Sequence, residues 1–355
     1  MEAIIAQAIK DTAASRKTSV PWNLDEPFPQ SYYDFDGSAS SWVSKKPSAN
    51  TAATPNNGDD TEITNIALYT WNIDFMLPFP EARMRPALAH LDELIRRLPP
   101  TTAPVIFLQE CTSSDLTTIA ATPWVRERFH LSDINTANWA TAHYGTTTLV
   151  DVRLPVTAAF RVHYSKTRMD RDALFVDVTL GSGGATVRLC NTHLESLALE
   201  PPFRPAQMQL VARYMRGGDG KVVDVALAAG DFNSIQPFDR TLHEDNGLKD
   251  AFLEVGGRED SEEGYTWGQQ AATRLREQFG CSRMDKVYFW EGEGARVRVR
   301  VVRFERFGGD VVVEGEEEGR RIVELGFEKG WVTDHLGVMV VVEVENLKGK
   351  GVERL

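Results

Sequence analysis

Six short segments of the chain hold residues suited to phosphate chemistry: Asn72, Glu110, Asn191-Thr192-His193, Asp231-Phe232-Asn233, Asp285 and Asp334-His335. Taken singly, each has an ordinary explanation. A strand-end Asn closes a turn, Gly230-Asp231-Phe232-Asn233 is a good turn sequence, and a lone His is more often structural. Together they are carboxylates, amides and imidazoles, with no cysteine among them. Hard oxygen donors of this kind suit Mg²⁺, or Mn²⁺ in its place, rather than structural zinc. Neutral His and Asn can donate to a phosphoryl group as its charge grows, and a further carboxylate can take a proton from water. The inventory fits metal-assisted phosphodiester hydrolysis. The chain has no G-x-S-x-G elbow and no G-x-x-x-x-G-K-[ST] loop, which argues against a serine hydrolase and a P-loop nucleotidase.

Such chemistry needs elements that gather distant positions. The segments 63–73, 105–110, 173–180, 185–194, 222–233, 283–290 and 336–344 read as strands. Several of them end in the polar residues just named, so one sheet edge could assemble the site. In 81–98, Met84, Leu88, Leu91, Leu94, Ile95 and Leu98 recur at three- and four-residue spacing, which predicts a helix with one apolar stripe. The segment 204–216 is a second helix, with Pro205 near its start. The acidic run Glu314–Glu318 reads as an exposed loop.

Composition limits the rest. Of 355 residues, 42% are hydrophobic and 25% charged, enough for a substantial core. Three separated cysteines argue against a disulfide scaffold and for a reducing, intracellular setting. A net charge of −12 argues against coating duplex DNA through a broad basic face, while leaving room for local cations such as Lys166 and Arg168. Neither a secretory signal nor a membrane span is legible. Residues 1–60 read as a low-order N-terminal arm and linker, with 36–60 rich in Ser, Ala, Asn, Thr and Gly. The aromatics Trp22, Phe28, Tyr32, Tyr33 and Phe35 predict that part of this arm packs on the domain formed by 61–355.

The ordered set W-N (71–72), L-Q-E (108–110), T-H-L-E-S (192–196), G-D-F-N (230–233), R-M-D (283–285) and T-D-H (333–335) resembles the endonuclease/exonuclease/phosphatase superfamily. The fold implied is α/β, a four-layer sandwich of two packed mixed β-sheets flanked by helices. Within it the chain is most similar to the type 2 tyrosyl-DNA phosphodiesterases, through TWNID (70–74), FLQE (107–110), SKTRMDRDALFVDV (165–178), THLES, GDFN and GYTW (264–267). That family often has Thr where this chain has Phe232.

The resemblance implies roles. Glu110 would be the principal Mg²⁺ ligand, with Asp334 binding or orienting the metal and its waters. Asn72 would position metal or phosphate. Asp231 would orient and deprotonate the attacking water, and Asn233 would hold that water or a phosphate oxygen. His335 would donate to a non-bridging oxygen with Asp285 fixing its tautomer, and His193 would contact the phosphate. Arg171 is expected to contact the DNA backbone or to close the site, Arg204 to neutralise phosphate and Trp267 to stack on a base or sugar. The implied substrate is a DNA 5′ end carrying a tyrosyl adduct. Nuclear work is implied by that function and by no signal in the chain, and a monomer is expected because the domain reads as self-contained. Another phosphohydrolase of the same fold, acting on RNA, a nucleotide or a small phosphate ester, is the alternative. A catalytically silent scaffold is disfavoured by the complete set of site residues.

Overall fold

The structure is a computed structural model that describes residue 7 and residues 10–48, 61–181 and 183–347. Among these, fifteen strands form two mixed sheets. The first runs, edge to edge, β1 (Pro27–Pro29), β8 (Val156–His163), β9 (Asp172–Leu180), β10 (Ala185–Thr192), β11 (Val225–Asp231), β13 (Asp285–Glu291) and β12 (Lys249–Asp250). The second runs β14 (Val297–Phe307), β15 (Gly337–Asn346), β4 (Asn65–Asn72), β5 (Thr102–Cys111), β7 (Gly145–Asp151), β6 (Phe129–Leu131), β2 (Tyr32–Asp36) and β3 (Ser41–Lys45). The pairs β4–β5 and β10–β11 are parallel, and the other pairings are antiparallel.

Alternation along the strands sorts side chains into layers. In β4, Ile66 and Leu68 enter the core between the sheets with Val105, Phe107, Val187, Leu189, Val225 and Leu227. Ala67, Tyr69 and Trp71 face the other way, onto Met84, Leu88, Leu91 and Ile95 of helix α1 (Pro80–Arg96). Helix α2 (Ser113–Ala121) adds Leu116 and Ile119 to that layer. On the opposite face, Phe175, Cys190, Ala226 and Ala228 meet Met208, Val211 and Met215 of the helix Arg204–Met215. The order helix, sheet, sheet, helix is the expected four-layer sandwich.

The N-terminal segment departs from expectation. Residues 27–45 are not low-order: β1 extends the first sheet and the β2–β3 hairpin extends the second. The Ser-rich stretch after Asp36 is a tight turn, in which the Asp36 carboxylate accepts from Ser38 N and Oγ and from Ala39 N at 2.8, 2.6 and 3.1 Å. Ahead of β1, Trp22 stacks on His163 with ring centroids 3.9 Å apart, and the Tyr214 hydroxyl donates to the Asp25 carbonyl at 2.8 Å. The expected packing of the aromatic arm is found. Residues 49–60, the rest of the expected linker, lie outside the described residues. The acidic run is also corrected: Glu316–Glu318 open a helix, Glu316–Glu324, where first-turn carboxylates favour the positive end of its dipole. Among the described residues, no helix is long and apolar enough to cross a membrane.

Candidate active site

One end of the sandwich gathers every motif. The parallel neighbours β4 and β5 finish at Asn72 and Glu110–Cys111, and the pair β10 and β11 at Thr192 and Asp231. The antiparallel strand β13 starts there at Asp285, directly opposite Asp231, and His335 stands two residues ahead of β15. Side chains up to 263 positions apart, from Asn72 to His335, thus share one rim.

Local backbone features aim them. The register of β5 against β7 shifts between Leu108 and Cys111, and Glu110 occupies this bulge with φ 58°. Asp74 (φ 56°) and Asn233 (φ 48°) also take the left-handed conformation, which side chains other than glycine adopt rarely. Gly230, at φ 151°, precedes Asp231 where a Cβ would lie 1.7 Å from the Thr192 carbonyl oxygen. Only glycine lets β11 approach β10 this closely just before the Asp231 side chain turns inward.

Asp231 is the hub. It accepts from Asn72 Nδ2 at 3.0 Å and from Asn233 N at 2.8 Å. His193 Nε2 stands 3.2 Å from its Oδ2, and His335 Nε2 stands 3.7 Å away. His335 Nδ1 meets Asp285 Oδ2 at 2.8 Å, so Nε2 is left to face the site. The Arg171 guanidinium donates to His193 Nδ1, which must therefore be the unprotonated nitrogen. The His193 proton then sits on Nε2, toward Asp231. Two imidazole N–H groups converge on one carboxylate. Asn233 spends its Nδ2 on the Leu194 carbonyl at 3.0 Å, which leaves its oxygen to the site.

Glu110 Oε2 accepts from Phe75 N at 3.1 Å, and its Oε1 lies 3.9 Å from Arg171 Nη2. Asp334 Oδ2 accepts from the Trp267 indole N–H at 2.7 Å. Asp74, which the sequence reading did not single out, is buried beside both acids and within their electrostatic reach. It follows Asn72 by two residues, and Asn72 Oδ1 accepts its backbone N–H at 2.9 Å. The buried Arg83 of α1 ties down this turn, donating to the carbonyls of Asp74 and Leu77 at 2.9 and 3.0 Å and to Val332 O at 2.7 Å. Arginine on a helix carries no spacing signal for such a role.

Two expected substrate contacts are corrected. Arg204 is buried and spends its guanidinium on Asp239 at 2.8 Å, Gln236 Oε1 at 2.8 Å and the carbonyls of Glu195 and Leu197 at 3.0 and 2.8 Å. It props the site from behind, with no donor left for phosphate. Arg171 is likewise buried: besides His193 it donates to Ser196 Oγ at 3.0 Å and lies over the Tyr144 ring at 5.1 Å. It sets the site's inner wall and does not reach out to a DNA backbone. Trp267 lines the cleft but is only 9% exposed, with its indole N–H committed to Asp334. Asn191 is a cross-sheet clamp, accepting from Gln109 Nε2 at 2.9 Å and donating to Thr147 O at 2.8 Å.

The electrostatics divide the site. Burial lifts the Glu110 carboxyl to about 7; Arg171 opposes the rise, and Asp231 and Asp334 add to it. Burial, Asp334 and Glu110 hold Asp74 well above the carboxylate range. Burial works against charge on His335, yet Asp285, Asp231 and Asp334 together hold it well above the usual imidazole value. Burial also resists ionisation of Asp231, but the two histidines and the Asn233 N–H outweigh it and depress its pKa. Burial and Arg171 bring His193 down to about 4, so that ring is neutral. Burial raises Asp285 to about 6 against the pull of His335.

These residues fit a hard divalent cation. Asp231, Asp285 and His335 can bring one ligand atom each within 4.8 Å of one another, but Asp285 and His335 are already paired. Asp334 and Glu110 push Asp74 toward protonation, and Asp334 and Asp231 do the same to Glu110 against the pull of Arg171, which is a deficit of positive charge that a Mg²⁺ would fill. Glu110, Asp334 and Asp74 face a cleft of about 690 Å³ that runs past Ser196, Gln236, Arg240, Glu259 and Phe279.

The profile of the endonuclease/exonuclease/phosphatase family matches residues 69–335. Comparison with curated protein sequences gives no match. Among solved structures, a D. rerio TDP2 humanised by 14 mutations superposes with a TM-score of 0.58 at 17% identity, covering 79% of this chain and 99% of that one. Truncated TDP2 from Caenorhabditis elegans gives 0.57 at 22% identity, with 80% and 100% covered. A mannosyl-6-phosphatase from Bacteroides thetaiotaomicron gives 0.55 at 15%, with 79% and 99% covered. At these identities the structural likenesses speak for the fold alone. The family profile spans three-quarters of the sequence and reaches from the strand of Asn72 to His335: the chain belongs to the endonuclease/exonuclease/phosphatase family.

Proposed function

We propose that this phosphoesterase is a Mg²⁺-dependent phosphodiesterase that hydrolyses 5′-phosphotyrosyl bonds on DNA and leaves a 5′-phosphate. The observation that carries the hydrolytic reading is the convergence of His193 and His335 N–H groups on Asp231, beside Glu110 and Asp334. A Mg²⁺ held by Glu110 and Asp334 would polarise the phosphoryl oxygens and acidify a bound water. Asp231, ionised at any working pH, orients the attacking water through the carboxylate that Asn72 and Asn233 hold still. It takes the proton as the new P–O bond forms. His335, cationic through Asp285, donates to an oxygen that gains charge in the transition state, while neutral His193 turns its one N–H toward Asp231 and steadies that carboxylate.

The site offers no separate group placed as a strong acid for the leaving oxygen. A tyrosyl phenol, with a pKa of about 10 against about 15.7 for water, departs without one. The motif resemblance supports the same substrate, and one structure of like fold is a D. rerio TDP2 complexed with single-strand DNA product. An open cleft of about 690 Å³ suits a strand better than a sugar phosphate. In this reading the protein works as a monomer on nuclear DNA. The mannosyl-6-phosphatase likeness favours a second reading, a small phosphate monoester as substrate.

The test is a single-stranded oligonucleotide with a 5′-phosphotyrosine, incubated with Mg²⁺ or EDTA. Metal-dependent conversion to the 5′-phosphate, lost in Asp231→Asn, is expected. A folded, Mg²⁺-supplied protein that leaves this substrate intact but cleaves hexose phosphates would replace the first reading with the second.

A further inference from the structure

The cleft is a poor match for a polyanion as it stands. Seven carboxylates line it, against two arginines, Arg240 and Arg283. Both arginines are already paired, and their partners Asp260 and Glu259 are consecutive residues of one loop, 255–264, on the cleft wall. Asp260 Oδ2 meets Arg240 Nη1 at 2.9 Å. Glu259 meets the Arg283 guanidinium and, at 2.7 Å, Lys286 Nζ. The side chains of Arg283 and Lys286 are 1% and 0% exposed, and their one other acid is Asp250, 2.6 Å from Arg283. Among the described residues, Arg283 Nε is buried with no hydrogen-bond partner.

We propose that Arg240 and the Arg283–Lys286 pair are two phosphate subsites for a nucleic-acid strand, occupied in the free protein by Asp260 and Glu259 as internal stand-ins. This deepens the proposed function and rests on its nucleic-acid substrate. A carboxylate and a phosphodiester present the same pair of acceptor oxygens to a guanidinium. The swap conserves charge: the cation keeps one anion and the displaced carboxylate gains water. The two subsites differ in how readily they exchange. Asp260 and Arg240 are more than half exposed on both sides, and such pairs contribute little, so a phosphate displaces Asp260 first. Glu259 is 22% exposed and holds two buried cations, so its displacement requires the loop to lift. Gly256 and Gly257 after the helix Ala251–Glu254, and Gly264 before Tyr265, bracket that loop. The unbound cleft, with its excess of carboxylates, repels loose polyanions, and a strand engages only where it can exchange both acids.

The test reads binding without turnover. The full chain, with Mg²⁺, is titrated with a fluorescent single-stranded oligothymidylate bearing a 5′-phosphate. Asp260→Asn should bind about three- to fivefold tighter at low salt, and Glu259→Gln with Asp260→Asn about tenfold tighter, as the cations lose their internal competitor. The slope of log affinity against log salt should steepen by up to about 0.7 per freed cation, because the carboxylate no longer takes up a salt cation on release. In an Arg240→Gln background, Asp260→Asn should have no effect. Equal or weaker binding by Asp260→Asn with an unchanged slope overturns the proposal. So does a gain that persists without Arg240, since that is only a change in net charge. If Glu259→Gln fails to fold, the exposed Asp260–Arg240 pair decides the matter alone. Failure to cleave the phosphotyrosyl substrate leaves this result standing, and cleavage without the tightening removes it.

Discussion

Buried acids sit in two kinds of surroundings in this molecule. Away from the cleft, most are matched to arginine. Arg161 lies between Asp133 and Asp172 at 2.7 and 2.9 Å, and Arg188 lies between Asp177 and Asp219 at 2.7 and 2.8 Å. At the cleft, Asp74 and Glu110 are buried against each other and against Asp334, and both are pushed toward protonation. Matched acids fix the relative placement of strands and loops. Unmatched acids are a standing electrostatic cost that only a ligand relieves, and the fold around the first group holds the second in place. Burial does not separate the two groups; a cation at hydrogen-bond distance does, and the nearest to Glu110, Arg171, stands 3.9 Å away.

The sharpest way to break this contrast is to neutralise one member of each. Asp231→Asn should lower kcat by about 10²- to 10⁴-fold on whichever phosphate ester proves to be the substrate. Glu110→Gln should also lower kcat, and its thermal midpoint should hold or rise, since an acid that burial pushes toward protonation is gone. Arg188→Leu should do the reverse. Stranding Asp177 without its cation should cost about 3–5 kcal/mol at pH 7, read by urea unfolding, while kcat per folded molecule stays. A stability loss in Glu110→Gln as large as in Arg188→Leu would erase the distinction.

How far the sequence announced this division is instructive. The motif residues were legible because each is short-range: an Asn, Glu, Asp or His at the end of an apolar run. Their order along the chain was enough to assign the family. The four layers were legible from alternation and from the stripe on α1. Partnership was not. Arg204 reads as a free cation after THLES because Asp239, which claims it, lies 35 residues on and shares no periodic pattern with it. Arg171 reads as surface-seeking in MDRD, yet His193, 22 positions later, absorbs it. The N-terminal strands were hidden for the same reason. Three-residue β1 has no propensity signal of its own, and its bonds go to residues 160–162 of β8. Asp74 was missed because an acid after a strand is ordinary until Glu110 and Asp334 are found beside it.

Metal and pH sharpen the comparison with a smaller effect. Glu110 rises from 4.5 to about 7 in the metal-free fold. Between those values the folded state binds more protons than the unfolded one, so stability falls as pH rises through this window. Mg²⁺ takes the place of that proton. The thermal midpoint measured in EDTA should therefore decline between about pH 4.5 and 7 by the share Glu110 contributes. Added Mg²⁺ should raise it more at pH 8 than at pH 5. Glu110→Gln should flatten both trends. An equal Mg²⁺ shift at both pH values would mean that the ion does not compete with the Glu110 proton.

The smallest effect belongs to acids that are matched but not buried. Glu317 sits on the exposed helix Glu316–Glu324, with Arg320 and Arg321 three and four residues on, within 2.5 and 3.3 Å. All three side chains are 59% exposed. Water already solvates these charges, so pairing them removes little unfavourable energy and holding the long side chains together costs entropy. Glu317→Gln should shift stability by less than about 0.5 kcal/mol, and by still less in 0.5 M salt. A larger loss would mean that partnership stabilises this fold wherever it occurs. A loss this small leaves burial and partnership as joint requirements: a pair matters where water cannot substitute for it, and an unpaired acid is informative only in the same place.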